Sequence, residues 1–260
     1  MAKPILTLIT DFGHVDHFVG VMKGVILSIC PGARIVDITH DIAPFAIHEG
    51  AYTIAEAYRY FPKGTVHVVV VDPGVGSERR PIVVEAASQF FVGPDNGVFS
   101  FVFDRESHVV RAITNSKLFL KPVSRTFHGR DIFSPVAARL ADGASPERIG
   151  PRIRDYCKAE FAAPRPAGAR SWKGVVLKID RFGNIITNFR ERDIPARTNF
   201  VMRVGTAATT ILARHYAEQP PGQVFAIVGS SGYLEISMNQ ASAASSAGCK
   251  PGTLVRLALR

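Results

Sequence analysis

The feature that most constrains this chain is a change of rhythm partway along it. From residue 5 to about 155, apolar runs of strand length alternate with stretches whose apolar residues recur every three or four positions. After a segment rich in Ala, Pro, Gly and Arg at 158–171, only short strands follow, separated by Gly, Pro or Asn. The two patterns bury their apolar residues in different layer architectures, so they predict separate domains. The expectation is an α/β domain over 1–157, with a mainly parallel sheet and helices on both faces. A linker at 158–171 then leads to an all-β barrel or sandwich over 172–260.

Within the first rhythm, residues 5–9 read as a buried strand. Val15, Phe18, Val19, Met22, Val25, Ile26 and Ile29 then mark a helix that stops at Pro31-Gly32. A strand at 34–38 leads to a second helical period, Ile47, Ala51, Ile54, Ala55 and Tyr58, closed by Pro62-Lys63-Gly64. The run at 66–71 is continuously apolar from Val68 to Val71, as a strand covered on both faces must be. Strand, helix, strand, helix, strand implies crossover connections and parallel pairing.

Composition narrows the function classes. The chain has 260 residues, 47% of them hydrophobic, enough for a real core. Its 31 Lys+Arg against 22 Asp+Glu leave a net charge of +9, but the cations are scattered, so a nucleic-acid partner is not expected. Cys30, Cys157 and Cys249 have no CxxC spacing and read as reduced thiols rather than a disulfide framework or zinc site. The N-terminal run has no signal-peptide pattern and no segment approaches membrane-spanning length, which predicts a cytoplasmic protein without a membrane anchor.

In open α/β sheets, ligands bind beyond the carboxyl ends of the strands, so polar residues ending apolar runs are the first candidates. Here those ends are Thr10-Asp11-Phe12-Gly13, Asp37-Ile38-Thr39-His40 and Asp72-Pro73-Gly74-Val75-Gly76. Each alone also reads as a turn or cap; together they favour a site. Gly74-Val75-Gly76 lacks the third glycine of a dinucleotide fingerprint and the Gly-Lys-Ser/Thr ending of a phosphate loop. It does carry Asp72 and Arg79 on one turn, where the guanidinium would tend to keep the carboxylate ionised, although a plain surface arginine reads equally well. Of the eight histidines, His128 stands out because Gly129 follows it and a helical run at 132–140 lies nearby, with Asp131 expected as its N-cap. In the second half, Phe182 and Asn184 at a loop tip could stack on and hydrogen-bond a purine edge. Gly229-Ser230-Ser231-Gly232 offers hydroxyls and backbone N–H groups to a carboxylate; both segments also read as β-turns.

The longer stretches, taken in order, resemble one family. They are TDFGHVDHFVGVMKG at 10–24, IVDITHDIAPF at 35–45, FPKGTVHVVVVDPGVGSERR at 61–80, VGPDNG at 92–97, FHGRDIF at 127–133, IDRFGNIITN at 179–188 and SSGYLEISMN at 230–239. The family is the S-adenosyl-L-methionine hydrolases (SAM hydroxide adenosyltransferases), which are similar to the fluorinase and chlorinase that make 5′-halo-adenosines. The resemblance implies an α/β domain followed by a β-barrel, and a homotrimer with substrate between one subunit's N-terminal domain and its neighbour's C-terminal domain. It implies that Asp72, Arg79 and His128 orient and activate the water, and that Asp11 holds the ribose hydroxyls beside Phe45. Phe182 and Asn184 would hold the adenine, Asp180 the methionine ammonium, and Ser230 the carboxylate region. Where the halogenases carry arginines this chain has Ser231 and Met238, which leaves Glu235 as a candidate contact to the methionine tail.

The implied reaction is hydrolysis of S-adenosyl-L-methionine to adenosine and L-methionine, with no metal or organic cofactor. A sulfonium leaves as a neutral thioether, so no general acid is needed and the difficulty lies in the weak nucleophile. The halogenases have a tyrosine in place of the aspartate; Asp72 and Arg79 here favour water over halide. Other readings are a halide adenosyltransferase, a non-catalytic adenosine-binding module, and a metal-dependent phosphoesterase built on Asp11, His40, Asp72 and His128.

Overall fold

The computed structural model describes residues 3–195 and 198–260. It comprises two compact units, Met1–Ala159 and Glu160–Arg260. The first holds a seven-stranded sheet in the order β2-β1-β3-β5-β4-β6-β7. Its strands are β1 (Ile5–Thr10), β2 (Arg34–Thr39), β3 (Val66–Val70), β4 (Pro81–Ala86), β5 (Gln89–Pro94), β6 (His108–Ala112) and β7 (Arg152–Ile153). Its helices are α1 (Phe18–Ile29), α2 (Ile47–Ala57), α3 (Ser100–Arg105) and α4 (Ser134–Ala141).

Alternation along the central strands decides which helix packs where. Leu6, Leu8, Val66, Val68 and Val70 point to a face covered by Met22 and Ile26 of α1 and Val136 and Leu140 of α4. Ile9, Val69 and Val71 point to the opposite face, under Ile54 of α2 and Val102 of α3. Helices thus cover both faces of the sheet, as the βαβαβ pattern predicts. Close approach on the second face depends on Gly50, where a Cβ would stand 3.0 Å from Val71 Cγ2. α1 begins at Phe18 rather than near Val15, whose side chain is exposed outside the helix.

The sheet is mixed rather than mainly parallel, and this corrects the sequence expectation. Parallel pairing runs from β2 through β1 and β3 to β5. Beyond β5, the pairings of β5 with β4, β4 with β6 and β6 with β7 are antiparallel. The cause is the two-residue connection Ala87-Ser88, both residues at positive φ (52° and 60°), since so short a loop can join only antiparallel neighbours. Neither residue is the Gly, Asn or Asp that usually marks such a turn, so the hairpin is hidden in the sequence.

The second unit is built on one sheet in the order β12-β11-β16-β9-β10-β15-β14-β13, with β8 pairing β9. These strands are β8 (Arg165–Gly168), β9 (Ser171–Ile179), β10 (Ile185–Arg190), β11 (Phe200–Val204), β12 (Ala207–Thr209), β13 (Leu212–Ala213), β14 (Val224–Val228), β15 (Tyr233–Met238) and β16 (Leu254–Leu259). One short helix, α5 (Ala243–Ala247), packs Ala243, Ala244 and Ala247 into the core with Val176, Phe189, Leu234 and Leu257. The unit is therefore predominantly β, with α5 and the 3-10 turns Glu160–Ala162, Glu191–Asp193 and Tyr216–Glu218 among the described residues, none of which the strand-only rhythm predicts. No helix among the described residues is long and apolar enough to cross a membrane.

One buried polar group in β3 ties acid stability to this packing. His67 is fully buried, with Nδ1 2.7 Å from Thr7 Oγ1 and Nε2 3.3 Å from Gln89 Oε1. Burial holds the imidazole down to about 4, whereas the unfolded chain titrates it near 6.5. The unfolded state therefore binds a proton that the folded state refuses. That contribution to stability is complete above pH 6.5 and is lost as pH falls towards 4, about 3 kcal/mol in all. Urea unfolding at pH 7 and pH 4.5 checks it: a His67→Gln variant should lose roughly 2–3 kcal/mol less than the parent between the two, and an equal loss would contradict the assignment.

Candidate functional site

Three strand ends and one helical turn converge in the first unit. Asp11 follows β1, Asp72 follows β3, and the loop after β2 carries Pro44 and Phe45. These, with Phe12, Phe18, Val70, Val75, Thr126, Phe127, His128 and Gly129, line an open cavity of about 310 Å³. Arg79 is not part of that lining but stands behind it. Its Nε donates to Asp72 Oδ1 at 3.1 Å, and its Nη2 pairs with Asp72 Oδ2 and donates to His128 Nδ1 at 3.1 Å. Asp72 and Arg79 keep only 4% and 7% of their side-chain surface exposed, and the guanidinium carbon sits 5.4 Å from the Phe133 ring centroid. This guanidinium is the buried link between two segments 49 residues apart.

Backbone geometry makes the link possible. Gly76 sits at φ +78°, and a Cβ there would stand 2.1 Å from the carbonyl oxygen of Arg125. The turn carrying Asp72 and Arg79 is thereby pressed against the segment that leads into His128. His128 itself caps a π-helical turn, Gly129–Phe133, which runs into α4. Asp131 is not the N-cap of α4: it lies inside the π turn, fully buried, and accepts Ser124 N at 2.8 Å and Arg130 Nε at 2.6 Å.

The electrostatics follow from burial. Burial pushes the Asp72 carboxyl above its ordinary value, and the Arg79 charge and hydrogen bonds pull against that rise. Burial, and then the charge of Arg79, push His128 below the ordinary imidazole value. Because Arg79 donates to Nδ1, the neutral ring carries its proton on Nε2. Asp11 is raised by burial and by the charge of Asp72, while the backbone N–H of Phe45, donating to Oδ2 at 2.9 Å, opposes this. Phe45 holds the left-handed conformation at φ +67°, unusual for a bulky residue, and its ring is 71% exposed at the cavity mouth.

In the second unit the loop between β9 and β10 carries Asp180, Phe182 and Asn184 and borders a second open cavity with Ser242, Ser245 and Cys249. Asp180 ties the loop together: Oδ1 accepts Phe182 N at 2.9 Å and Asn184 N at 2.8 Å, and Oδ2 accepts Asn184 Nδ2 at 2.8 Å. Phe182 projects from the tip, 79% exposed. Ser230 is exposed in the turn between β14 and β15. Glu235 is buried in β15, accepts the Tyr216 hydroxyl at 3.1 Å, and is raised by burial; Tyr216 is pushed up to about 12. The structure thus gathers Asp11, Phe45, Asp72, Arg79 and His128 in one unit and Asp180, Phe182 and Asn184 in one loop of the other.

Sequence reasoning missed the aromatic wall of Phe12, Phe18 and Phe127, whose rings meet edge to face at 5.2–5.9 Å. Phe12 and Phe127 stand inside motifs that the sequence singles out and Phe18 in a helical period, but none of these signals marks an aromatic wall. Tyr216, the partner of Glu235, had none. His40 does not line the cavity; its Nδ1 lies 2.8 Å from Thr10 Oγ1 and its Nε2 3.0 Å from Asp37. Among the described residues no group of three or more His, Cys, Asp or Glu is arranged to hold a metal ion.

Known proteins share both this sequence pattern and this fold. Residues 6–150 match the model of the SAM hydroxide adenosyltransferase N-terminal domain, and residues 174–256 that of the C-terminal domain. The chain is 36% identical to the (R)-S-adenosyl-L-methionine hydrolase of Thermus thermophilus, over 98% of this chain and 99% of that one. It is 26% identical to the fluorinase of Nocardia brasiliensis, over 98% and 97% of the two chains. A crystal structure of an uncharacterized conserved protein from Thermotoga maritima superposes with a TM-score of 0.85 at 35% identity, covering 97% of this chain and 99% of that one.

Removing Asp72 would leave the Arg79 guanidinium buried without its counter-charge. Asp72→Ala should therefore lower the unfolding free energy by about 3–5 kcal/mol, and the double variant Asp72→Ala/Arg79→Met should recover part of that loss. Denaturant unfolding measures both; a cost within experimental error for the single variant would show that the pair is not buried as described.

Proposed function

Because this chain belongs to the SAM hydroxide adenosyltransferase family, we propose that it hydrolyses S-adenosyl-L-methionine to adenosine and L-methionine. The observation that carries the reading is the Asp72–Arg79–His128 cluster at the wall of a cavity that Asp11 also lines. The water oxygen forms a bond to C5′ as the C5′–sulfur bond breaks; its electron pair leaves with sulfur as a neutral thioether, and one proton is released. Reaction by in-line displacement inverts C5′.

Each residue has a physical task in this scheme. Arg79 engages both Asp72 oxygens and His128 Nδ1, which fixes two groups with one rigid guanidinium. Neutral His128, with Nδ1 held by Arg79 and its proton on Nε2, orients the water, and the Asp72 carboxylate receives its proton; general-base assistance contributes about 10²–10⁴ in rate. Alignment against C5′ contributes more, up to about 7–11 kcal/mol. Asp11 accepts from the ribose hydroxyls and Phe45 walls the sugar. Phe182 stacks on the adenine and Asn184 bonds its edge. Asp180 and Glu235 face the methionine ammonium, and Ser230 the carboxylate. The scheme uses no metal or organic cofactor. A halide adenosyltransferase is disfavoured by Asp72, whose carboxylate at the cavity wall would repel a halide anion in the place where the scheme puts water.

Incubation of the pure protein with S-adenosyl-L-methionine should release adenosine and methionine in equal amounts, followed by chromatography. His128→Ala and Asp72→Asn should lower kcat by about 10²–10⁴ while adenosine affinity stays near that of the parent. A folded protein without turnover would sink the reading, and parental rates in both variants would sink the assigned roles.

The reading includes a homotrimer. Val15, Phe45 and Phe182 are 99%, 71% and 79% exposed, apolar surface that assembly would cover. Light scattering on the eluting peak should give three times the chain mass; a monomer at micromolar concentration would refute this part.

A further inference from the structure

His40 lies outside the cavity and takes no part in the scheme above, yet it is fully buried in a polar network. Its Nδ1 is 2.8 Å from Thr10 Oγ1 and its Nε2 is 3.0 Å from Asp37 Oδ1, while Asp37 Oδ2 accepts Lys23 Nζ of α1 at 2.5 Å. The Thr10 hydroxyl in turn accepts Phe12 N at 3.2 Å, and the His40 carbonyl accepts Gly13 N at 2.8 Å. Asp11 is the one residue between Thr10 and Phe12, so this network holds the backbone on both sides of it. The other end of the same loop is held by Asp11 itself, through Phe45 N. With Nδ1 accepting the Thr10 hydroxyl proton, the neutral imidazole carries its proton on Nε2, which stands 3.0 Å from Asp37 Oδ1 but outside hydrogen-bond alignment.

We propose that His40 is a positioning residue for Asp11. It locks the turn after β1 against the end of β2, with Thr10 as its contact and the Asp37–Lys23 pair as its support. A cavity carboxylate that must meet two ribose hydroxyls tolerates little displacement, and a flexible β1 turn would weaken that contact without touching the Asp72–Arg79–His128 cluster. The consequence for turnover rests on the hydrolase reading; the positioning itself does not.

The test separates the two. In the parent, the Phe45 amide proton should be shifted downfield by its bond to Asp11 and should follow the Asp11 titration in an NMR pH series. In Thr10→Val and in His40→Leu that coupling should be lost. Thr10→Ser and His40→Asn, which keep a group able to bond across the gap, should restore most of it. With S-adenosyl-L-methionine as the probe, Thr10→Val should raise KM about tenfold, the scale of one lost hydrogen bond, with a much smaller change in kcat. In an Asp11→Ala background Thr10→Val should raise KM no further. A Phe45 amide that still follows Asp11 in both disruptive variants, or KM effects that add fully to Asp11→Ala, would overturn the proposal. If His40→Leu does not fold, the isosteric Thr10→Val decides alone. If the parent fails to turn over substrate, the hydrolase reading falls, and the amide titration still decides whether His40 holds Asp11 in place.

Discussion

β3 is buried on both faces, and that constraint organises the first unit. A strand with helices above and below can carry polar groups along its length only if each finds a partner, as His67 does between Thr7 and Gln89. Everything else polar is driven to the strand's end, where the chain leaves the sheet at Asp72. The parallel neighbour β1 ends at the same edge, so Asp11 arrives beside Asp72 without any further device. The cavity is thus a by-product of parallel pairing between strands whose apolar register is fixed from both sides.

Arg79 converts that by-product into a site with defined geometry. Burying two carboxylates near one another raises both, and an isolated buried carboxylate would simply hold its proton. The guanidinium compensates one of them and also donates to His128, so the imidazole's tautomer and the carboxylate's charge are set by the same group. Stability and chemistry are coupled there: a substitution that tunes the nucleophile's surroundings also disturbs the best-buried ion pair at the cavity.

Much of this was legible in the residues. The period of α1 and α2, the continuous valine run and the polar strand ends identify the two-faced sheet and its reactive edge, because each follows from local periodicity. The hairpin between β4 and β5 was not legible, since Ala87 and Ser88 adopt positive φ under tertiary constraint rather than by preference. Asp131 looked like a cap because caps are judged from sequence neighbours, whereas its partner Ser124 lies upstream across a loop. The Glu235–Tyr216 contact reaches across β14, and the Arg79–His128 contact joins segments far apart in the chain. Pairings of this kind have no periodic signature, and only the family motifs around Asp72 and His128 point to the second of them.

The place of β16 in the second sheet sets an order of events during synthesis. β16 lies between β11 and β9, and Ser171 at the start of β9 is paired with Ala258. Translation must therefore pass Leu259 before the middle of that sheet can close, and until then β9 and β11 present unsatisfied edges. The first unit has all of its strands by Ile153 and can fold while the second is still being made. A nascent chain that stops before β16 would carry a finished α/β unit joined to an open, aggregation-prone sheet.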